Sequence, residues 1–285
     1  METTVSNFHY GAVTPVAAFL MACLGAALGL RCTTRAIRRD TNRVGWLALG
    51  SVSIGCGIWT MHFIAMAGFT IDGMSMKYDS VMTLLSLLVA IAVVAVGVFL
   101  VGFRGPGTVV LTTAGVFTGL GVAAMHYLGM AAMHTPDDLR YSYATVALSI
   151  LIAVVAATAA LWAAVSVHGL WASLGASLIM GVAVTGMHYT GMAALDVPSG
   201  SHGAGTQSSV SLLSFLLVML TGPLAALIVS AVIVIFDGDV IMGSDERGTH
   251  SRLRHTSPPP WQAETVPPPI ATHATDTTAG MGSVQ

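Results

Sequence analysis

Long apolar runs separated by short polar segments dominate the first 236 residues of the chain. Each run holds about 20 residues, enough to cross a hydrocarbon core of about 30 Å as a helix. The seven runs lie near residues 12–31, 44–68, 80–103, 108–133, 143–166, 171–195 and 211–236. The pattern predicts an all-α integral membrane protein with seven transmembrane helices.

Composition supports this interpretation. Charged residues make up only 8% of the chain and hydrophobic residues 54%, whereas a soluble domain has roughly 25% charged residues. The first run has no basic residue before Pro15, so we predict a retained helix rather than a cleaved signal peptide. Cys23, Cys32 and Cys56 fall within or at the predicted cytoplasmic ends of helices, so no disulfide framework is expected.

Basic residues are distributed unequally between the two sides of the predicted bundle. One side holds only Lys77 and Arg140. The other side, formed by the loops after helices 1 and 3 and by the C-terminal tail, holds Arg31, Arg35, Arg38, Arg39, Arg43, Arg104, Arg247, Arg252 and Arg254. Because basic loops stay in the cytoplasm, the N-terminus is predicted outside and the C-terminus inside. The net charge of -2 gives no sign of a nucleic-acid partner.

The chain changes character after helix 7. Residues 241–285 contain two runs of three prolines, 258–260 and 267–269, and many threonines. We predict a disordered cytoplasmic tail there and a membrane domain over residues 9–240. The tail is too short to form a catalytic output domain, so we expect a separate cytoplasmic partner protein.

One motif occurs three times, as MHFIAM at 61–66, MHYLGM at 125–130 and MHYTGM at 187–192. His126 lies 64 residues after His62, and His188 lies 62 residues after His126. Random order would give about half a Met-His pair in the whole chain. The spacing therefore predicts three repeats of a helix pair that follow helix 1.

Glycine also recurs seven residues before each histidine, at Gly55, Gly119 and Gly181. A further turn back, eleven residues before the histidines, the chain has Ser51, Gly115 and Ser177. Small residues on one helix face allow close helix packing in lipid. We predict that the three motif helices pack together through this face.

The motif helices all run outward, which places His62, His126 and His188 at one depth, roughly 10 Å below the outer helix ends. Met66, Met130 and Met192 follow four residues later on the same helix faces. Imidazole with thioether favours copper, especially Cu(I). Met61, Met125 and Met187 point about 100° away and are weaker candidate ligands. One turn further out, His134 and Asp196 are predicted to line an entrance.

Other interpretations remain open. The motifs are packing devices if the histidines only bond across helix interfaces and the methionines only fill gaps. A copper transport protein would need further ligand steps toward the cytoplasm, where only Cys56 and Met180 stand. A haem protein would use paired histidines as axial ligands. We find no nucleophile with a base beside it, so no catalytic residues and no enzyme activity are predicted.

Three Met-His-aromatic motifs on alternate helices of a seven-helix bundle resemble the MHYT domain, a bacterial integral-membrane sensory module. The segments GIWTMHFIAM, GVAAMHYLGM and TGMHYTGMAAL carry the resemblance. It implies a multi-pass protein of the bacterial plasma membrane that binds copper through its Met and His residues and senses oxygen, CO or NO. Many members are fused to a cyclase, phosphodiesterase or kinase, whereas this chain ends in the predicted tail. Ala65 departs from the glycine of the other two motifs, Gly129 and Gly191.

Overall fold

Seven α-helices make up most of the structure, a computed structural model that describes residues 12–38, 42–68, 77–134, 140–167, 169–196 and 209–236. Each helix is long and apolar enough to cross a membrane, so the predicted all-α, seven-helix fold is confirmed. The predicted tail lies outside the described residues. The helices are α1 (Val13–Arg38), α2 (Arg43–Ala67), α3 (Ser80–Arg104), α4 (Thr108–Ala131), α5 (Tyr143–Ser166), α6 (Leu170–Met192) and α7 (Ser209–Phe236).

Helix α1 continues beyond its predicted end at residue 31. Arg31, Arg35 and Arg38 lie on its last two turns rather than in a loop. Arginine is a strong helix former, and its long side chain reaches polar surroundings from the end of an apolar helix. The Arg35 guanidinium lies 4.9 Å from the centre of the Trp46 ring on α2, which ties the two helices together at this end.

The start of α2 is tied to α3 by a second arginine. Arg43 donates a hydrogen bond to the Gly102 carbonyl, and its guanidinium lies 5.2 Å from the centre of the Phe103 ring. A cation over an aromatic face is attracted by the ring quadrupole. These contacts fix α1, α2 and α3 at the end of the bundle opposite the motifs.

Successive helices pack side by side from α2 to α6. Helix α1 packs against both α2 and α6, and α7 packs against α2 and α1. Helix α1 therefore occupies the seam between the third and the first copy of the repeat. The sequence places α1 outside the repeat, and the structure gives it this position.

The predicted packing of the motif helices through their glycines is wrong. A Cβ added at Gly55 would lie 2.9 Å from the Ile91 Cα of α3, and one at Gly119 would lie 2.4 Å from the Val154 Cα of α5. A Cβ at Gly181 would lie 2.3 Å from the Cys23 sulfur of α1. The small faces therefore accommodate α3, α5 and α1 rather than one another.

The described residues include four two-residue strands, which lie at the motif end of the bundle, where α2, α4 and α6 end. The strand β1 (Lys77–Tyr78) pairs antiparallel with β2 (Met133–His134), and β3 (Arg140–Tyr141) pairs with β4 (Leu195–Asp196). Two equivalent backbone bonds extend these pairs, from the Asp79 N–H to the Ala132 carbonyl and from the Ser142 N–H to the Ala194 carbonyl, both 2.9 Å long. The first pair links the start of α3 to the end of α4, and the second links the start of α5 to the end of α6.

Candidate metal centre

His62, His126 and His188 meet at the centre of the bundle, where each side chain is 1% exposed. They lie on the last turns of α2, α4 and α6. Their Nδ1 atoms form a nearly equilateral triangle with sides of 3.0 Å (His62 to His188), 3.1 Å (His62 to His126) and 3.3 Å (His126 to His188). The matched spacing in the sequence thus becomes a single three-histidine cluster, and its geometry could hold a metal ion.

The three imidazole rings are arranged like the blades of a propeller. Ring centroids are separated by 4.9 to 5.0 Å, and every pair of rings makes an angle of 80° to 84°. The internal repeat therefore produces a local three-fold pseudosymmetry at the histidines. All three rings point the same nitrogen at the axis.

Hydrogen bonding alone cannot satisfy this triangle. A neutral imidazole carries one ring proton, so its Nδ1 is either a donor or an acceptor. Among three Nδ1 atoms that all contact one another, at least two are in the same state. One pair must then face proton to proton or lone pair to lone pair. A cation removes the conflict, because it accepts a lone pair from all three nitrogens.

The size of the triangle suits a transition-metal ion. The centre of a triangle with these sides lies about 1.8 Å from each corner, and a small shift along the axis gives the bond of about 2.0–2.1 Å usual between a metal and imidazole. The cluster has no carboxylate, so it does not offer the oxygen ligands that hard cations prefer. The residues present therefore fit a metal that favours nitrogen donors.

Two motif glycines pack against the Nε2 side of two imidazole rings, opposite the Nδ1 triangle. A Cβ at Gly129 would lie 2.4 Å from the His62 Nε2, and one at Gly191 would lie 2.3 Å from the His126 Nε2. Both Nε2 atoms are buried and have no hydrogen-bond partner among the described residues. The ring orientation is thus fixed by backbone contact on one side and by the Nδ1 triangle on the other. Sequence reasoning missed this role, although the glycine recurs three residues after His126 and His188.

The methionines that follow the histidines form a second layer. Met66, Met130 and Met192 contact one another in one buried cluster, as expected for residues one turn beyond the histidines. The side chains packed around this cluster are Tyr78, Tyr127, Tyr141 and Leu195. Each motif helix therefore contributes an imidazole to one layer and a thioether to the next.

The aromatic cover of this methionine layer is uncharged. Burial raises the pKa of Tyr78, and burial together with the nearby Tyr127 raises the pKa of Tyr141. Both phenols therefore remain neutral at physiological pH. The two tyrosines stand in β1 and β3, so the strand pairs position the cover above the methionines.

The methionines that precede the histidines lie elsewhere. Met61 packs with Ala18, Ala22 and Ala65, whereas Met125 and Met187 belong to the large apolar core. These surroundings are those of packing residues. Metal ligation by the three stays a prediction.

His134 lies in β2 and Asp196 in β4, at equivalent places in the second and third copies. In the two-strand ladders His134 pairs with Lys77, and Asp196 pairs with Arg140. The backbone thus carries both residues outward from the methionine layer. Their role as an entrance stays a prediction.

Two serines of the outer helices anchor aromatic residues of the motif helices. The Trp59 Nε1 donates to Ser86 Oγ at 2.9 Å, and the Tyr127 hydroxyl lies 2.6 Å from Ser149 Oγ. Each serine in turn donates to a carbonyl three residues earlier in its own helix, at 2.7 Å and 2.8 Å. The two copies therefore hold an aromatic residue of the motif helix through a serine at a comparable place in the following helix.

These features define a multi-pass membrane protein with a buried three-histidine centre built from three copies of one helix pair. Three stretches, residues 55–114, 119–177 and 181–235, match the family described as "Bacterial signalling protein N terminal repeat", MHYT. The chain belongs to the MHYT family, and the predicted repeat is confirmed. Each matched stretch begins at or beside one of the three recurring glycines.

Several bacterial proteins resemble the chain, and their names describe cyclic di-GMP enzymes or signalling proteins. The chain is 36% identical over 236 residues to the bifunctional diguanylate cyclase/cyclic di-GMP phosphodiesterase MucR of Pseudomonas aeruginosa, covering 80% of this chain and 34% of MucR. It is 36% identical to the cyclic di-GMP phosphodiesterase NbdA of the same species, over 69% of this chain and 26% of NbdA. The signaling protein YkoW of Bacillus subtilis is 30% identical, over 64% of this chain and 24% of YkoW.

The chain thus spans about a third or less of the length of these relatives. No solved structure matches it.

Proposed function

We propose that this chain is a non-enzymatic sensory protein that binds copper, as Cu(I), at His62, His126 and His188. The observation that carries the proposal is the triangle of Nδ1 atoms, with sides of 3.0 to 3.3 Å. The proposed stimulus is oxygen, CO, NO or a change of redox state. Bound copper would supply a site that accepts a diatomic ligand or changes oxidation state.

The methionine layer favours copper over other metals. Met66, Met130 and Met192 stack next to the histidines, and thioethers are soft ligands that select Cu(I). The protein's contribution is to aim the three Nδ1 atoms at one point and to keep water away from them. Burial of the histidines and the neutral tyrosine cover support both roles.

The proposed orientation places the motif end at the outer face of a bacterial plasma membrane. Arg35 and Arg43 lie at the opposite end, where they bind α2 and α3, and basic residues favour the cytoplasmic side. The N-terminus is then outside. The metal site would face the environment, and the opposite end would face the cytoplasm.

The proposed output is a change in helix packing that a cytoplasmic partner protein detects. The names of MucR and NbdA include cyclic di-GMP activities, and the matched region covers only a third or less of each. A sensory role for the shared region is consistent with these names. We propose residues 9–240 as the membrane domain and residues 241–285 as its cytoplasmic tail.

The two alternatives fit less well. The rings pack edge to face with centroids about 5 Å apart, which leaves no space for a porphyrin between two histidines. A transport path would need further ligands inward of the histidines. Cys56, however, packs in an apolar cluster with Leu28 and Leu227. These observations favour a resident metal over haem or metal transport.

Metal analysis of the purified full chain after exposure to Cu(I) tests the proposal. The variant with His62, His126 and His188 all changed to Ala is expected to lose copper. The matched variant changes the weaker candidate ligands Met61, Met125 and Met187 to Leu. Because these residues pack in apolar clusters, copper is expected to remain bound, and its loss would support their ligation instead. Copper bound equally by the parent and the folded histidine variant would overturn the proposal.

A further inference from the structure

An apolar cavity of about 50 Å³ lies within the bundle, inward of the histidines. Its lining includes the residues four positions before the histidines, Ile58, Val122 and Val184. It also includes those eight positions before them, Ile54, Thr118 and Met180. Positions separated by four or eight residues share a helix face. The cavity therefore begins one helical turn from the three-histidine centre, on the side away from the methionine layer.

The chemistry of the lining excludes ions. Apart from Thr33 and Thr118, every residue around the cavity is apolar. The Thr118 hydroxyl lies 3.4 Å from the Val93 carbonyl, to which it donates. A hydrated ion would lose its water there and gain at most the single thioether of Met180, which is far short of a coordination shell. The cavity is thus not suited to carry a metal ion from the histidines toward the proposed cytoplasmic end.

The lining also disfavours ordered water. A buried water needs two to four polar partners, and cavities walled by aliphatic side chains stay dry and accept apolar guests. The volume is several times the roughly 10–15 Å³ that one water requires by the same measure. A diatomic molecule fits, whereas a lipid tail or an organic cofactor is too large.

We infer that this cavity, defined by Ile54, Ile58, Thr118, Val122, Met180 and Val184, is the chamber through which a small uncharged diatomic molecule reaches the metal. The two sides of the histidine layer then have separate tasks. The methionine side is suited to the metal ion, and the aliphatic side is suited to the apolar ligand. The inference rests on the proposed metal function and assigns its ligand a binding place.

Two alanines of α5, one that lines the cavity and one that does not, provide the test. Ala156 is 8% exposed and lines the cavity, whereas Ala159 faces outward from the bundle. Ala156→Leu would fill the chamber, and Ala159→Leu adds the same atoms outside it. Ala156→Val fills it partly and is a milder variant if the leucine disturbs folding. All variants keep the histidines and methionines unchanged.

Two measurements separate the cavity from the metal site. Xenon-pressurised crystals of the metal-free full chain probe the cavity alone, with xenon located by anomalous scattering. Carbon monoxide titration of the Cu(I)-loaded chain, followed by the infrared stretch of bound CO, probes access to the metal. We expect xenon in the parent and in Ala159→Leu but not in Ala156→Leu. CO affinity should fall at least tenfold in Ala156→Leu, less in Ala156→Val and not in Ala159→Leu.

The possible failures are distinct. A parent chain without xenon in the cavity would overturn the inference directly. Xenon binding combined with equal CO affinity in the parent and the copper-loaded Ala156→Leu would also overturn it, because the chamber would not serve the metal. A parent chain that holds xenon but no copper would sink the proposed function and, with it, the role of the chamber.

Discussion

In the first two copies of the repeat, a serine of the second helix accepts a hydrogen bond from an aromatic residue of the motif helix, but the donor residue differs. In copy 2 the hydroxyl of Tyr127 bonds to Ser149 of α5. In copy 1 the equivalent position is Phe63, which has no hydroxyl, and Ser86 of α3 instead receives the indole N–H of Trp59. The two copies therefore share the serine acceptor, whereas the position and type of the aromatic donor differ.

The third copy differs more strongly. Gly181 packs against Cys23 of α1, whereas Gly55 and Gly119 pack against the helix that follows in their own copy. Helix α1 fills the seam between α6 and α2, and α7 packs against α2 and α1. The three imidazoles nevertheless keep nearly equal spacing. The site is therefore more symmetric than the helices that support it.

The glycines behind the rings should show the largest difference between copies. Changing Gly129 and Gly191 to Ala would place a methyl group 2.3 to 2.4 Å from a ring nitrogen, so His62 and His126 must shift. Disturbing the groups that orient metal ligands typically costs 10- to 100-fold in metal affinity, and we expect about 100-fold for the double variant. Competition with a Cu(I) chelator measures it.

The matched control for this prediction is Ala65→Gly, because Ala65 stands where copies 2 and 3 have glycine. Its copper affinity should change little, since the substitution removes a methyl group rather than adding one. Glycine in a helix interior costs about 1 kcal/mol, and the loss should be smaller here because Ala65 lies in the last turn of α2. Equal copper affinity in the parent and the double alanine variant would refute the positioning role.

The methionine layer should have the next largest effect. Changing Met66, Met130 and Met192 to Leu preserves much of the packing volume but removes the thioethers. We expect Cu(I) affinity to fall about tenfold, or about 1.4 kcal/mol, while Zn²⁺ affinity stays constant because zinc relies on the imidazoles. Parallel titrations with the two ions measure the difference. A parallel fall in both affinities would indicate a packing effect instead.

The serine anchors compare copies 1 and 2 directly. Ser86→Ala removes the partner of the buried Trp59 N–H, and Ser149→Ala removes that of the part-buried Tyr127 hydroxyl. Leaving a buried donor without a partner costs about 1–3 kcal/mol. We expect similar losses of unfolding free energy and unchanged copper stoichiometry in the two variants. Thermal unfolding in detergent, with Ser53→Ala as a control that removes only a bond to its own helix, measures the losses. Very different values for the two variants would break the equivalence.

The entrance residues should have the smallest effect. His134→Ala and Asp196→Ala change positions in β2 and β4 outside the histidine and methionine layers. We expect slower copper loading by a few-fold with unchanged final stoichiometry, because the ligands themselves remain. Stopped-flow loading measures the rate. An unchanged rate in both variants would remove these residues from the proposed path.

Much of this architecture follows from the sequence. Apolar runs located every helix, and the equal spacing of His62, His126 and His188 predicted that they lie at one depth. Spacing cannot reveal that α1 occupies the seam, because a helix that is apolar all round carries no record of its neighbours. For the same reason the partners of Gly55, Gly119 and Gly181 were predicted wrongly.

The site was predicted in composition but not in geometry. Matched spacing indicated one layer of histidines with a methionine on the same face of each helix. It did not indicate which ring nitrogen faces the axis, because the rings are held by contacts with Gly129 and Gly191. These contacts join a glycine of one copy to a histidine of another copy, so no short stretch of the sequence reveals them. The apolar chamber likewise is lined by residues of five helices, α2 to α6, and of α1, and no motif marks it in the sequence.

X-ray absorption spectroscopy of the copper-loaded full chain tests the central claim most directly, because it reports which atoms surround the metal. We expect one copper per chain with three imidazole nitrogens at about 2.0 Å, and any sulfur only as an additional ligand. Several coppers per chain, each held by a single histidine, or a shell of sulfur alone would contradict it.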